Sequence, residues 1–586
     1  MKLTSTFLLP LLGGLLLSLA AVSLARAATP PKIGIRGVDG EILTNISKAL
    51  SFPDGLISDG TINQLWLNRY IRLAPAKVAR ALEPFGYYAA KVDIRVDRLA
   101  TPLAIQITID PGLPVRIATR RLEIVGFQHK ELRQALDRFP LAPGSIVQHL
   151  PYEKAKAELQ AIAVGLGYLD ATYSSHQIRI DRGNNTAHLE LVLDTGPRYR
   201  FGPIRIHGGE DYPEKFLRRY LVARQGEFFS YPELGKTQQQ FLDSDRFGSV
   251  LIAPQRQESE NHQVPVEIRL ETKAPKRLRP GVGYGTDTGA RFFLRYQEVN
   301  AWHLGHEFTT DLLLAERKQN LIANYLFPGY RNLDSMFALR GGYQAEDLDT
   351  YETHYVFAEA EQLYGFSEGR VGSMFVRFQH ESSTISGEEI TTGMVVPGVR
   401  LRMGKLVDPV RPQKGYRLSL EVRGAWDVMF SEISLFQALG DINVIYPFPW
   451  QTYLRLRGSA GTSVQKNDFA DIPASLRFFA GGDNSVRGYA FRSLGPTNAQ
   501  GEVIGGKNLL VGSIELEKRF LQDWGAAAFY DAGNAFNSPT DYTLAEAVGI
   551  GLRYFTPVGP ARIDLARTIR ADKANYRIHL GLGVGW

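Results

Sequence analysis

Few residues in this 586-residue chain could make or break bonds, and their spacing argues against it. There is no cysteine, which removes thiolate metal sites, iron–sulfur clusters, disulfide frameworks and sulfur nucleophiles together. The 11 histidines are scattered without a His-x-x-x-His pair, and no Gly-x-Ser-x-Gly turn occurs. His303 and His306 fall at a predicted turn with no third ligand nearby. The run Gly481-Gly482-Asp483-Asn484-Ser485-Val486-Arg487-Gly488 precedes no predicted helix and holds no lysine, so it does not read as a phosphate cradle. No catalytic residue, metal or cofactor is expected, and the chain reads as a non-enzyme. What the run offers is one guanidinium, Arg487, between Val486 and Gly488-Tyr489. Where water is excluded, its planar fork binds carboxylates strongly; in solvent it is an ordinary turn arginine, with Gly488 present for its backbone freedom.

The elements that must position this run follow from composition. Hydrophobic residues make up 44%, charged residues 22% and aromatics 11%, with 57 glycines, a balance that favours several domains and strands over helical bundles. The formal charge of +6 spread over such a length is no polyanion footprint, so no nucleic acid partner is expected. Residues 1–27 carry Lys2, an apolar run from Phe7 to Leu24 broken by Pro10, Gly13 and Gly14, and the small-residue site Ala25-Arg26-Ala27. This pattern predicts a secretory signal peptide cleaved after Ala27 in preference to a retained anchor. No later apolar stretch reaches the length of a spanning helix, which leaves a soluble exported chain or a barrel that spans with strands.

The first half repeats. Gly86, Gly167 and Gly248 stand 81 residues apart, each between a helical stretch and alternating strands such as Ile105-x-Ile107-x-Ile109 and Leu189-x-Leu191-x-Leu193. Three β-α-α-β-β units are expected at 31–117, 118–200 and 201–275, each a small mixed sheet with helices on one face. Their free edges suit capture of an extended segment by β-augmentation. From 277 to 586 strand follows strand. Tyr416, Leu418, Leu420 and Val422 alternate with charged residues, and Tyr576, Ile578, Leu580, Leu582, Val584 and Trp586 close the chain with an aromatic. About sixteen such runs predict an antiparallel transmembrane β-barrel, an even number that permits closure. The fold class is thus mixed: three α+β domains followed by a 16-stranded barrel.

The motifs in the last third give this architecture a family. Val486-Arg487-Gly488-Tyr489, the later strand Ser513-Ile514-Glu515-Leu516 and the strand Phe529-x-Asp531-x-Gly533 resemble the outer-membrane assembly factor superfamily, in which periplasmic POTRA repeats precede a sixteen-stranded barrel. The resemblance implies that the sixth loop folds into the lumen, where Arg487 meets Glu515 and Asp531. Strand parity agrees, since Ile514 and Leu516 facing lipid send Glu515 inward. Three repeats and the phrase Pro557-Val558-Gly559-Pro560-Ala561-Arg562-Ile563-Asp564 resemble the branch that forms the outer-membrane subunit of a translocation and assembly module. Implied with it are a bacterial outer-membrane location with POTRA domains in the periplasm, contact with the lipid bilayer, and unfolded outer-membrane clients, autotransporters in particular. An inner-membrane-anchored partner bound through the first repeat is also implied. The activity expected is insertion of barrel proteins through a lateral seam between first and last strands. Pro280 cannot donate to a ladder there, and Gly281, Gly283 and Gly285 opposite Gly581, Gly583, Gly585 and Trp586 leave little side-chain packing. The alternatives are a dedicated secretion channel of the two-partner type or a general barrel insertase of the same superfamily, with the glycines serving barrel curvature alone. The leader gives the first test: the intact mass of the purified protein should place its N-terminus at Ala28, and retention of Met1 would make the segment an anchor.

Overall fold

Strands with isoleucine or leucine at every second position bury one face only, and in the first half of the chain each such strand is covered by helices. The computed structural model describes residues 30–58, 61–127, 129–329, 332–407, 412–427, 430–556, 559–569 and 575–582. The expected leader lies outside the described residues, as do Gly583, Gly585 and Trp586. The first module runs β1 (Lys32–Arg36), α1 (Gly40–Ala49), a ribbon of β2 (Ile57–Ser58) and β3 (Thr61–Ile62), α2 (Gln64–Leu82), β4 (Lys91–Asp97) and β5 (Ala104–Asp110). β5 is central, with β1 parallel on one side and β4 antiparallel on the other. Its Ile105, Ile107 and Ile109 share a core with Leu67, Tyr70, Ala74 and Val78, which recur every three or four residues along α2. Burying one such side chain contributes about 1.5–3 kcal/mol, so this stripe ties helix to sheet. Asn63 caps α2 by accepting hydrogen bonds from the Leu65 and Trp66 amides.

The second module repeats the order with β6 (Arg116–Val125), α3 (Lys130–Asp137), α4 (His149–Gly165), β7 (Thr172–Asp181) and β8 (Thr186–Asp194). The third has β9 (Arg200–His207), α5 (Glu214–Arg218), α6 (Tyr231–Asp243), β10 (Phe247–Pro254) and β11 (Gln263–Thr272). In all three the last strand lies between the other two. Opening strands begin at Arg116 and Arg200, and the barrel at Lys276, one or two residues ahead of the boundaries read from sequence. Gly86 and Gly167 take φ of +89° and +94°, and a Cβ on them would lie 2.6 Å from the Val147 carbonyl oxygen and 2.4 Å from that of Phe229. Their own carbonyls accept the Val115 and Tyr199 amides at 2.8 Å. At each, a carbonyl of a later segment in the same compact unit occupies the place of a side chain. Gly248 differs: it sits at a bulge opening β10, with no atom so close.

By contacts the chain forms two compact units, residues 1–202 with 225–232 and 256–264, and residues 203–224, 233–255 and 265–586. Most of the third module therefore belongs with the barrel. Sixteen antiparallel strands close the latter: β12 (Lys276–Gly285), β13 (Gly289–Ala301), β14 (His306–Ala315), β15 (Lys318–Pro328), β16 (Ser335–Asp347), β17 (Tyr351–Ser367), β18 (Arg370–Ile385), β19 (Glu388–Val407), β20 (Lys414–Ala425), β21 (Leu435–Phe448), β22 (Thr452–Gln465), β23 (Asn508–Arg519), β24 (Trp524–Phe536), β25 (Ala545–Thr556), β26 (Gly559–Thr568) and β27 (Tyr576–Leu582). Ile442, Leu456, Ile514, Ile550 and Ile563 are exposed on the outside, while Glu359, Glu381, Arg400, Asp531 and Asp564 are buried within. A water-soluble domain inverts that distribution, so the exterior is built for lipid. Trp302, Phe366, Phe448, Trp450 and Phe520 are exposed at the turns nearest the modules, the place of an interfacial aromatic girdle. Among the described residues no helix is long and apolar enough to cross a membrane.

The third module is held to the β13–β14 turn by polar contacts. Arg246 donates to the carbonyls of Val299 at 3.2 Å and Gly305 at 3.4 Å, and Asn300 donates to that of Asp211 at 2.9 Å. Asp245 accepts from Arg277 and Lys273 at 2.6 Å each, and these hydrogen bonds hold its carboxyl down to about 2. His303 lies on the same turn, and His306 at the head of β14 bonds the Tyr325 hydroxyl at 2.8 Å. Hydrogen bonds from a charged group are worth about 1.5–3 kcal/mol. Arg246→Ala should loosen the third module by that order, read as faster proteolysis near Ala274 with a barrel that still migrates as folded before heating.

Candidate functional site

Residues 466–507, between β22 and β23, form the sixth far-side loop of the barrel and run back into its lumen. The loop is shaped by its own bridges, Phe478 with Gly506 and Ala480 with Leu494, and by Arg477, which donates to the carbonyls of Ala470, Ile472 and Ile504 at 2.7–2.9 Å. One end is fixed to the wall of long strands: the Ser475 amide donates to Glu381 at 3.0 Å, Gln437 to the Leu476 carbonyl at 2.7 Å, and Arg492 to Glu346 at 2.7 Å. The loop is therefore a strut across the lumen, and its other end carries the Val-Arg-Gly-Tyr tetrad. Val486 is fully buried against Ala480, Val511 and Ala547, with Tyr489 packed at the margin.

Arg487, 3% exposed, sits in a cage of carboxylates. Its Nε and Nη2 bind the two oxygens of Asp531 at 2.7 and 2.9 Å, and its amide donates to the same carboxylate at 3.1 Å. Nη1 reaches Glu515 at 2.7 Å and Asp564 at 3.2 Å, and Nη2 reaches the Ser513 hydroxyl at 3.3 Å. The guanidinium carbon lies 3.3 Å from the Phe529 ring centroid. Arg553 completes the cluster, 3.1 Å from Glu515 and hydrogen-bonded to Asp564. In direct ion pairs two cations thus meet three carboxylates, with buried Arg457 close by, and displacing Arg487 would leave Asp531 without an ion-pair partner.

The expected partners Glu515 and Asp531 are in place, and Gly533 lies where β24 crowds β23, since a Cβ there would sit 2.4 Å from the Leu510 carbonyl oxygen. Asp564, Arg553 and Ser513 were not singled out as partners from sequence. Parity was enough to find the first two: Ile563 and Leu565 flank Asp564, Leu552 and Tyr554 flank Arg553, and all four flanking residues face outward. The same signal marks a second buried cluster on the opposite wall, where Arg400 binds Glu359 at 2.9 Å, Glu361 at 3.2 Å and Glu421 at 2.7 Å.

At the seam the register between β12 and β27 among the described residues is a single pair, Gly285 with Gly581, whereas β12 pairs with β13 along its whole length. The Thr286 amide donates to the Leu580 carbonyl at 3.1 Å, and Arg291 donates to that of Leu582 at 2.9 Å. Three of the seam glycines are not bare. Phe293 covers Gly281, Arg291 covers Gly283 and Arg562 covers Gly581, each leaving no room for a Cβ. Asp287, Asp483 and His579 also converge, with one possible ligand atom from each within 4.8 Å of the others.

An outward-apolar barrel of sixteen strands, crossed by an arginine-locked loop and preceded by repeated β-α-α-β-β modules, defines an outer-membrane-type barrel with POTRA domains. Residues 403–586 match the Omp85 superfamily domain, and residues 32–111 match domain 1 of the TamA POTRA domains. The chain belongs to the Omp85 superfamily as a TamA-like member. It is 23% identical over 399 residues to the outer membrane protein assembly factor BamA of Nitratidesulfovibrio vulgaris, covering 61% of this chain and 47% of that one. With BamA of Neorickettsia risticii it shares 24% over 430 residues, covering 67% and 55%. The chain thus spans about half the length of these curated relatives. BamA from Haemophilus ducreyi lacking POTRA domains 1–3 has the same fold, with a TM-score of 0.67 at 17% identity, covering 80% of this chain and 99% of that one.

Removing one partner from a buried ion cluster costs about 3–5 kcal/mol. Arg487→Ala should therefore expel the loop, seen as new protease cleavage at Arg477 and Arg492 from the far side while the barrel stays folded. Arg487→Lys, which keeps the charge but loses the planar fork, should restore less than half of the protection.

Proposed function

We propose that the protein assembles other β-barrel proteins, autotransporters in particular, into the bacterial outer membrane, acting at the seam between β12 and β27 with its modules in the periplasm. The observation that carries this reading is the Omp85 superfamily domain over residues 403–586 on a sixteen-stranded barrel whose first and last strands meet, among the described residues, at Gly285 and Gly581. A strand edge in lipid leaves N–H and C=O groups unpaired at several kcal/mol each, a cost that a client strand removes by pairing with it. Strand templating of this kind needs no catalytic residue, nucleotide or cofactor. The assembly factors among the relatives support the general activity.

The TamA-type first module supports the narrower reading. In it, a TamB-like inner-membrane-anchored partner adds a strand to the first module, whose sheet has β1 and β4 as its edges. A passive or dedicated secretion channel fits less well, because the loop crossing the lumen has to leave before anything passes.

The Gly285–Gly581 register puts Tyr284 opposite Leu582, both facing outward, and the absence of native cysteine makes a cross-link between them clean to read. In liposomes, the protein carrying Tyr284→Cys and Leu582→Cys should insert an autotransporter client at least about tenfold more slowly when oxidised than when reduced, which corresponds to some 1.4 kcal/mol of lost access. Equal rates would exclude the seam as the site of insertion.

A further inference from the structure

His579 and Asp483 lie apart from the Arg487 cage, and both are buried. Asp483 belongs to the strut loop, His579 to the last strand, and Thr286 and Asp287 to the β12–β13 turn, so this cluster joins the loop to both sides of the seam. The Gly488 amide donates to His579 Nε2 at 2.8 Å, and His579 Nδ1 lies 2.5 Å from Asp483 Oδ1. A backbone amide can only donate, so Nε2 is the bare nitrogen and Nδ1 carries the hydrogen given to Asp483. On the other side Thr286 Oγ1 donates to Asp483 Oδ1 at 3.0 Å while accepting the Leu580 amide at 3.1 Å. Asp287 accepts the Asp483 amide at 2.8 Å.

The convergence of two carboxylates and an imidazole invites a metal, and the hydrogen bonds argue otherwise. A cation on Nδ1 would need that nitrogen's lone pair and would move the ring hydrogen to Nε2, directly against the Gly488 N–H. Every donor in the cluster already has an acceptor of the opposite kind, which is the arrangement of a clasp.

We propose that His579, Asp483 and Thr286 form a side-chain latch that holds the seam shut. His579 is its positioning residue: it hangs the last strand on the strut loop through Gly488 and, through Asp483 and Thr286, on the first strand. The latch adds side-chain contacts to the Gly285–Gly581 pair and the Thr286–Leu580 backbone hydrogen bond at this end of the seam. It deepens the lateral-seam reading and rests on that reading for its role in assembly, although the closure itself is a property of the barrel alone.

The test uses the full chain in detergent, without client, carrying spin labels at Val282→Cys and Ile578→Cys, which are exposed on the first and last strands. His579→Phe keeps a ring of similar size and loses both hydrogen bonds, and Thr286→Val keeps the shape of its side chain and loses the hydroxyl. Both should raise the long-distance fraction at least about fivefold, a shift of some 1 kcal/mol. His579→Gln, whose amide oxygen can still accept from Gly488, and His579→Asn, whose amide nitrogen can still reach Asp483, should fall between wild type and Phe. Packing alone predicts the reverse, with Phe the mildest change at 579 and Thr286→Val silent, and either result overturns the latch. If His579→Phe does not fold, Thr286→Val decides by itself. A seam that widens in these variants while client insertion stays unchanged would leave the latch standing and remove the assembly mechanism.

Discussion

The arrangement turns on one guanidinium that cannot leave its place without exposing three carboxylates to each other. Glu515, Asp531 and Asp564 project from β23, β24 and β26 into the lumen, and without Arg487 their one remaining ion-pair partner is Arg553 of β25. Mutual repulsion in a partly dry interior would favour protonation, rotamer change or strand distortion. Arg487 relieves this from the loop, so the strand wall is satisfied only when the loop is inside. Such a cluster adds little net stability over an apolar filling, but it makes the loop-in state the one in which Glu515, Asp531 and Asp564 are all paired with Arg487. What it fixes is position, and Val486, Gly488 and Asp483 are carried to their own contacts by it.

The two ends of the strut meet walls of different character. Toward β17, β18 and β19, the strands are 16 to 20 residues long and the loop lies on their buried polar side chains. On the seam side, the first strand β12 and the penultimate strand β26 are 10 residues long. Long ladders make the first wall the stiffer support. The loop is thus anchored on the wall of long strands and reaches across to the seam, where Asp483 meets Thr286 and His579.

Strand parity and the repeat made most of this legible in the sequence. The three modules and the even count of strands follow from the repeat and from alternation, while the Arg487–Glu515–Asp531 contact is what the family resemblance implies, with parity in agreement because a lipid-facing neighbour on each side sends Glu515 inward. The same rule applied to Arg553 and Asp564 would have completed the cage, yet neither stands in a motif that draws attention to it. The cluster of His579, Asp483 and Thr286 was beyond reach for a different reason. Its members come from a turn, a loop and a strand separated by 197 and 96 residues, and which nitrogen of the ring is bare depends on where the Gly488 amide points. The seam glycines were only half read: sequence shows missing side chains but not that Phe293, Arg291 and Arg562 fill the space they leave.

The one irregularity in the repeat has a structural cause. At 86 and 167 glycine is required because the chain turns with positive φ and the following module's carbonyl occupies the place of a side chain. At 248 the neighbour is a barrel turn, and the close approach has moved across the interface. There Gly305, with φ of +73°, lies where a Cβ would come within 2.3 Å of the Phe216 ring. The close-approach glycine of this joint thus stands in the barrel turn, 57 residues further on than the repeat predicts, and the break in the period marks the point where the neighbour is the barrel.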